Sequence, residues 1–219
     1  MFPFPFSFIG SGADVPDLEL ISNDYAMEFD GTGDYIDSGS PTIFDNLTSF
    51  SFSCWFNSNV KGNDDGILGK WLTGTDRSFA LNLETSGASS NIRFVVFNSS
   101  GTVAQTYISG SDWSTGNWYN VTGTYDGSNV KLYLDGVLKD TVALTGTVRN
   151  ATQSFRIGRY GSSSDFSGDI DEVAIWNKAL ELADVQTIYN STNDNPGKCA
   201  NLFTGGLGSG LIYWNRMGD

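Results

Sequence analysis

The chain of 219 residues contains no histidine. That excludes Ser-His-Asp and Cys-His nucleophile systems, histidine-ligated zinc and any imidazole pH switch. Cysteine is nearly absent: Cys54 and Cys199 are the only two, too few for a disulfide framework. No apolar run approaches the ~20 residues that cross a bilayer as a helix, so membrane insertion is not expected. Positive charge is scarce, with 12 Lys+Arg against 25 Asp+Glu and a net charge of −13. Such a chain repels phosphate backbones, which argues against nucleic acid as a partner. The first basic residue is Lys61, so the start of the sequence lacks the positive n-region of a secretory signal. Charged residues make up only 17%, while 39% hydrophobic and 14% aromatic residues suffice for one sizeable core.

Glycine is plentiful, 26 in all. It falls with Asn, Asp and Ser in clusters that separate short β-type runs, among them Tyr25–Phe29, Phe50–Asn57, Gly66–Trp71, Ser78–Glu84, Asn91–Asn98, Trp118–Tyr125, Asn129–Leu134 and Gly168–Trp176. Short strands with regular turn signals predict an all-β sandwich or barrel. Asp135-Gly136, between Val130–Leu134 and Val137–Lys139, predicts a two-residue type I′ hairpin with Leu132 and Leu134 facing inward. Alternation through Phe50-Ser-Phe-Ser-Cys-Trp-Phe56 places Phe50, Phe52, Cys54 and Phe56 on one face and Trp55 on the other. Cys54 therefore reads as a small buried thiol; spacing alone does not decide whether Cys199 bridges to it.

One stretch, Ala179–Tyr189, has helical periodicity, with Leu182, Val185, Ile188 and Tyr189 on one face. The domain reading is an extended aromatic arm over 1–24, a sandwich over 25–190 and a linker and tail over 191–219. In the arm, Phe2, Phe4, Phe6 and Phe8 recur at period two between prolines. Rings on one side of such a segment fit docking on a neighbouring subunit or sheet, and equally fit covering the chain's own core.

Several motifs occur in a set order: Phe29-Asp-Gly-Thr-Gly-Asp-Tyr-Ile36, Ser49–Phe56, Trp118–Gly127, Val130–Gly136, Phe155–Gly158 and Gly168-Asp-Ile-Asp-Glu-Val-Ala-Ile-Trp176 with its continuation to Leu180. Together they resemble the laminin-G-like modules of the concanavalin A-like lectin/glucanase superfamily. The resemblance implies a two-sheet antiparallel jelly roll with one short helix. The flanking segments, Phe6–Gly12 and Leu211–Asp219, resemble those around such modules in structural proteins of tailed phages, marine ones in particular. That context implies a virion-surface component whose partners are neighbouring subunits or a second copy, with host glycans as possible ligands. The alternative is a free extracellular carbohydrate-binding or adhesion module, and a glucanase is the third reading.

For glycanase chemistry two carboxyls must flank the scissile bond. Asp169 and Asp171 share a face by period two, but regular alternation turns Glu172 away and brings Val173 next, so the row is incomplete and no catalytic residue is assigned. A structural Ca²⁺ is the better-matched chemistry: Asp30 and Asp34 flank two glycines, and the resemblance implies that Asp171 comes near this loop. A plain glycine-rich turn with Asp34 on backbone amides is the alternative, and Asn63-Asp64-Asp65 is a less specific candidate for the same cation. For a glycan, the candidates are Trp71 with Asp76 and Arg77, and Arg159, Tyr160 and Asp165 in the loop before Gly168. Their rings would stack on sugar faces and their polar ends bond hydroxyls.

Overall fold

A computed structural model describes residues 17–219 except 62, 63, 73, 75, 87 and 88; Phe2, Phe4, Phe6 and Phe8 lie outside the described residues. The strands in chain order are β1 (Leu20–Ser22), β2 (Met27–Asp30), β3 (Ile36–Asp37), β4 (Phe50–Ser58), β5 (Asp65–Trp71), β6 (Arg77–Ser86), β7 (Ser89–Phe97), β8 (Val103–Ile108), β9 (Tyr119–Tyr125), β10 (Asn129–Leu134), β11 (Val137–Ala143), β12 (Arg156–Ile157), β13 (Arg159–Tyr160), β14 (Ser164–Asp165) and β15 (Ser167–Trp176). The helix α1 (Leu182–Asn193) follows, then β16 (Lys198–Ala200) and β17 (Leu211–Asn215). A seven-stranded sheet runs β11-β10-β9-β4-β15-β17, with β2 also paired to β15, and faces a six-stranded sheet ordered β3-β12-β5-β6-β7-β8. Every ladder in both sheets is antiparallel. The expected all-β sandwich with one short helix is the fold.

The period-two pattern explains the core. Phe50, Phe52, Cys54 and Phe56 of β4 are fully buried between the sheets, against Phe79, Leu81 and Phe94 of the opposite sheet. Ring centroids are 4.9 Å apart for both Phe50–Phe79 and Phe52–Phe94. Each such ring taken out of water contributes about 2–3 kcal/mol. Gly123, across the ladder from Phe52, has no room for a side chain, because a Cβ there would lie 2.2 Å from the Phe52 ring. The hairpin turn forms as predicted, with φ of 51° at Asp135 and 74° at Gly136. Leu132 and Leu134 point into the core while Tyr133 faces outward. Cys54 and Cys199 are both buried free thiols, one between the sheets and one outside them.

The outer face of the seven-stranded sheet is not left to solvent. Tyr133, Ala174 and Trp176 on that face are covered by Val185 and Ile188 of α1 and by Ala200, Leu202 and Leu207 beyond it. A reciprocal capping box between Glu181 and Asp184 starts the helix at 182, three residues later than its periodicity suggests. Leu182 lies outside the packed face and is 49% exposed. The segment read as linker and tail supplies β16, which pairs with β1, and β17, which pairs with β15.

One irregularity decides what faces outward from β15. The pairing of β15 with β4 shifts between Asp171 and Ala174, and Glu172 adopts a φ of 50°. This is a β-bulge: Ile170 and Val173 both enter the core, and the two residues between them are both left outside it. The expectation that Glu172 turns away from Asp171 assumed unbroken alternation, and the bulge overturns it.

Candidate functional site

At the end of the sandwich where β2 stops, the β2–β3 loop and the β13–β14 hairpin form a rim. Gly31 and Gly33 take φ of 82° and 91°, which turns the chain sharply after Asp30. Asp30 Oδ1 accepts the Thr32 amide at 2.6 Å, and Asp34 Oδ2 accepts the Asp30 amide at 3.4 Å. Asp165 accepts the Gly33 amide at 3.0 Å through Oδ2 and forms an ion pair with Arg159 through Oδ1. That pairing holds the Asp165 carboxyl below the usual range. The Arg159 guanidinium also lies 4.1 Å from the centre of the Tyr35 ring, and Arg156 lies 5.1 Å from it.

An open cavity of about 370 Å³ sits beside this loop, lined by Asp30, Gly31, Val60, Asp65, Ser163, Asp165 and Ser167. Asp65 is 3% exposed, and its Oδ2 is buried with no hydrogen-bond partner. Burial, aided by the charges of Asp64 and Asp165, pushes its carboxyl up to about 6. The neighbouring Asp64 is already satisfied, accepting from Asn82 and from the Tyr160 hydroxyl.

The three aspartates expected to share a metal are not together. Asp30 stands opposite Ser167 in the β2–β15 ladder, so Asp171 lies four residues farther along β15, where it pairs with Trp55. At ~3.3 Å per strand residue that is well beyond a shared coordination sphere. Among the described residues, no group of three or more His, Cys, Asp or Glu side chains is placed to hold a metal ion. A cation at this rim would instead draw on Asp65 and Asp30 together with backbone carbonyls and water, a donor set that suits a hard cation such as Ca²⁺.

The expected glycan residues divide into three groups. Trp71 meets Tyr160 edge-on at 5.7 Å and Phe97 at 5.3 Å, with the Arg77 guanidinium 5.1 Å from the Trp71 ring. These form a packed cluster on the outer face of the six-stranded sheet. Asp76 is bound by the amide and hydroxyl of Thr152 and by Gln153, which hold its carboxyl low. Arg159 and Asp165 belong to the rim just described.

A second concavity was not foreseen as a unit. Trp55 points outward from β4, as alternation predicts, and with Trp118, Asp171, Asn23, Thr192, Asn193, Pro196 and Gly197 it lines a groove of about 300 Å³. Asn23 is brought there by the β1–β16 ladder, its amide bonding the Gly197 carbonyl at 2.9 Å. Asp171 Oδ2 accepts Asn23 Nδ2 at 2.9 Å, and its Oδ1 accepts the Glu172 amide at 2.8 Å. Burial, reinforced by the charges of Glu172 and Asp219, pushes the Asp171 carboxyl up to about 7. Glu172, though on the same side, is held by Trp214 Nε1 at 2.7 Å and Arg216 Nε at 3.1 Å. Both of its oxygens are thus engaged by donors of the closing segment.

A family model described as the concanavalin A-like lectin/glucanases superfamily matches residues 30–186. No curated protein sequence matches the chain. Among solved structures, a Bacteroides ovatus protein described as a putative carbohydrate binding protein is similar over 91% of this chain and 53% of its own, at 18% identity and a TM-score of 0.68. The heptameric SAP-like pentraxin of Limulus polyphemus is similar over 81% of this chain and 84% of its own, at 14% identity and a TM-score of 0.57. The ligand binding domain of botulinum neurotoxin serotype D, solved with N-acetylneuraminic acid, is similar over 80% of this chain and 46% of its own, at 16% identity and a TM-score of 0.59. The chain thus spans about half the length of the Bacteroides ovatus protein, and at these identities the likeness is one of fold.

Proposed function

The chain belongs to the concanavalin A-like lectin/glucanase superfamily, and from that premise we propose that it is a non-catalytic carbohydrate-binding module. The observation that carries this reading is the rim cavity, where Asp65, buried and with an unpartnered Oδ2, lines the same space as Asp30 and Asp165, beside the Arg159 guanidinium and the Tyr35 ring. An orphaned buried carboxylate oxygen is costly unless something satisfies it. Ca²⁺ is the proposed occupant, held by Asp65 and Asp30. It would supply a positive centre with open positions for water or sugar hydroxyls. Arg159, steadied by Asp165 and by the Tyr35 ring, would then orient the sugar by hydrogen bonding.

The flanking segments favour display of such a module on a virion surface, bound to neighbouring subunits; the alternative is a free module outside a cell. Deleting residues 1–12 separates them, since only the first predicts an oligomer that dissolves when the arm is removed.

The test of the binding reading is retention on immobilised polysaccharides and a glycan array, with Ca²⁺ and with chelator, for the native chain and Asp65→Asn. Retention that chelator and Asp65→Asn both abolish is the expected result. A folded native chain that binds no glycan, or one that releases reducing ends from a glucan, would overturn the reading. A melting temperature unmoved by Ca²⁺ in the native chain would remove the cation from it.

A further inference from the structure

The groove between α1 and the outer face of the seven-stranded sheet has a one-sided chemistry. Its wall carries two indole rings, Trp55 and Trp118, the latter 42% exposed. Its floor carries Asp171, which is 5% exposed and is met by one side-chain amide and one backbone amide but by no cation. Beside it, the Oδ1 atom of Asn23 is buried and has no hydrogen-bond partner. Among the described residues that line the groove, none is Lys or Arg. Indole faces carry negative potential, a carboxylate carries charge, and an orphaned amide oxygen has only lone pairs to offer. Its floor and ring faces therefore present acceptors and negative potential, and its donors, the amides and hydroxyl of Asn23, Asn193 and Thr192 and the indole N–H groups, are all neutral. What it lacks is a compact positive donor.

We propose that this groove is a second binding site, independent of the rim, for a protonated primary amine on a small ring or alkyl carrier, such as the ammonium of a hexosamine. The ammonium would lie against the indoles, donate to Asn23 Oδ1 and Asp171, and restore the charge balance that burial denies the carboxyl. Three N–H donors match the orphaned acceptor and the carboxylate better than a quaternary ammonium, which has none. Anionic sugars are disfavoured by Asp171 and by the chain's net charge of −13, whereas nearby Glu172 and Asp219 share Arg216 as their counter-ion. A neutral sugar could stack on the rings but would leave the carboxyl uncompensated.

The experiment is titration of the full chain, by tryptophan fluorescence and calorimetry at fixed ionic strength, with glucosamine, N-acetylglucosamine, glucose and n-butylamine. Glucosamine is expected to bind, and the two analogues without a charged amine about tenfold or more weaker, the loss typical of an unpaired charge-assisted bond. Binding of n-butylamine comparable to glucosamine would place the recognition in the ammonium alone; weaker binding would assign a share to the ring. Both outcomes support the proposal. Asp171→Asn, which keeps the side-chain shape, and Trp118→Ala, which empties no core position, should each weaken glucosamine about tenfold, while Asp65→Asn should not. Equal binding of glucose and glucosamine, glucosamine binding unchanged in Asp171→Asn and Trp118→Ala, or no amine binding by the folded native chain would overturn it. Because the rim variant is the control, failure here leaves the carbohydrate-binding reading at the rim standing, and failure there leaves this one standing.

Discussion

Trp55 on β4 and Tyr189 on α1 stack with ring centroids 5.8 Å apart and planes 22° from parallel. The helix is keyed to the sheet through the same tryptophan that lines the groove. Tyr189→Ala should therefore cost about 1 kcal/mol beyond the lost area, enough to lower the melting temperature by a few degrees. A reduced near-UV circular dichroism band with an unchanged far-UV spectrum would locate the loss at this stack. An unaltered near-UV band would show that the stacking carries no order.

The Asp171 carboxyl gives stability a pH dependence of definite sign. Its ordinary value is 3.8, and burial raises it to about 7 in the folded chain. The folded state thus holds a proton that the unfolded state has lost, so its contribution is fully present below about pH 4 and disappears as pH climbs through 7. Asp65, raised to about 6, acts in the same direction. Asp171→Asn should match the native chain at pH 4 and exceed it at pH 8 by up to a few kcal/mol. Urea midpoints at pH 4, 6 and 8 check this; a constant difference across the three would contradict it.

Arg216 and Glu172 form a pair whose acid is almost enclosed, with side-chain exposures of 24% and 8%. Burial raises the Glu172 carboxyl, while Trp214 and Arg216 oppose that rise. Arg216→Met should destabilise by about 2 kcal/mol, mostly from leaving the carboxylate uncompensated. Adding Glu172→Gln should recover much of that loss. Strict additivity in the double-mutant cycle would mean that the two side chains do not couple.

Gly123 is a packing constraint rather than a turn. A methyl group there meets the Phe52 ring at 2.2 Å and Phe94 at 2.9 Å. Gly123→Ala should cost about 2–3 kcal/mol by overpacking. Combining it with Phe52→Leu should cost less than the sum of the two single changes, as read from denaturant midpoints.

The sandwich was legible because its signals are local. Alternation in β4, the Asp135-Gly136 turn and the glycine-punctuated runs each need only neighbouring residues. The rim was legible in part: Asp30, Asp34, Arg159 and Asp165 were singled out, while Asp65 stood only within the less specific Asn63-Asp64-Asp65 alternative, because what marks it is burial and not a motif. The groove was hidden for a different reason. Asn23, Trp55, Asp171 and Gly197 meet only through the β1–β16 and β4–β15 ladders, whose registers join positions more than a hundred residues apart. The likeness of Gly168–Trp176 to a regular strand concealed the bulge, so Glu172 was assigned to the wrong side; Asp171 was set beside Asp30 and Asp34 by the family resemblance alone, and the β2–β15 register separates them. The strand Leu211–Asn215 read as tail because an edge strand carries no turn of its own.

The bulge at Glu172 has one more implication. If that single residue were excised, Ile170, Asp171, Val173 and Ala174 would fall into unbroken in-and-out order, and every core side chain of β15 would keep its place. Glu172 is thus a one-residue insertion that the hydrophobic pattern does not need. What it supplies is an attachment point: its side chain meets Trp214, Arg216 and the Cys199 thiol, and its amide donates to Asp171 Oδ1. A chain shortened by this one position should keep the sandwich and the β15–β17 ladder but lose the side-chain anchor on Trp214 and Arg216, as a garment keeps its seam when a button is cut away.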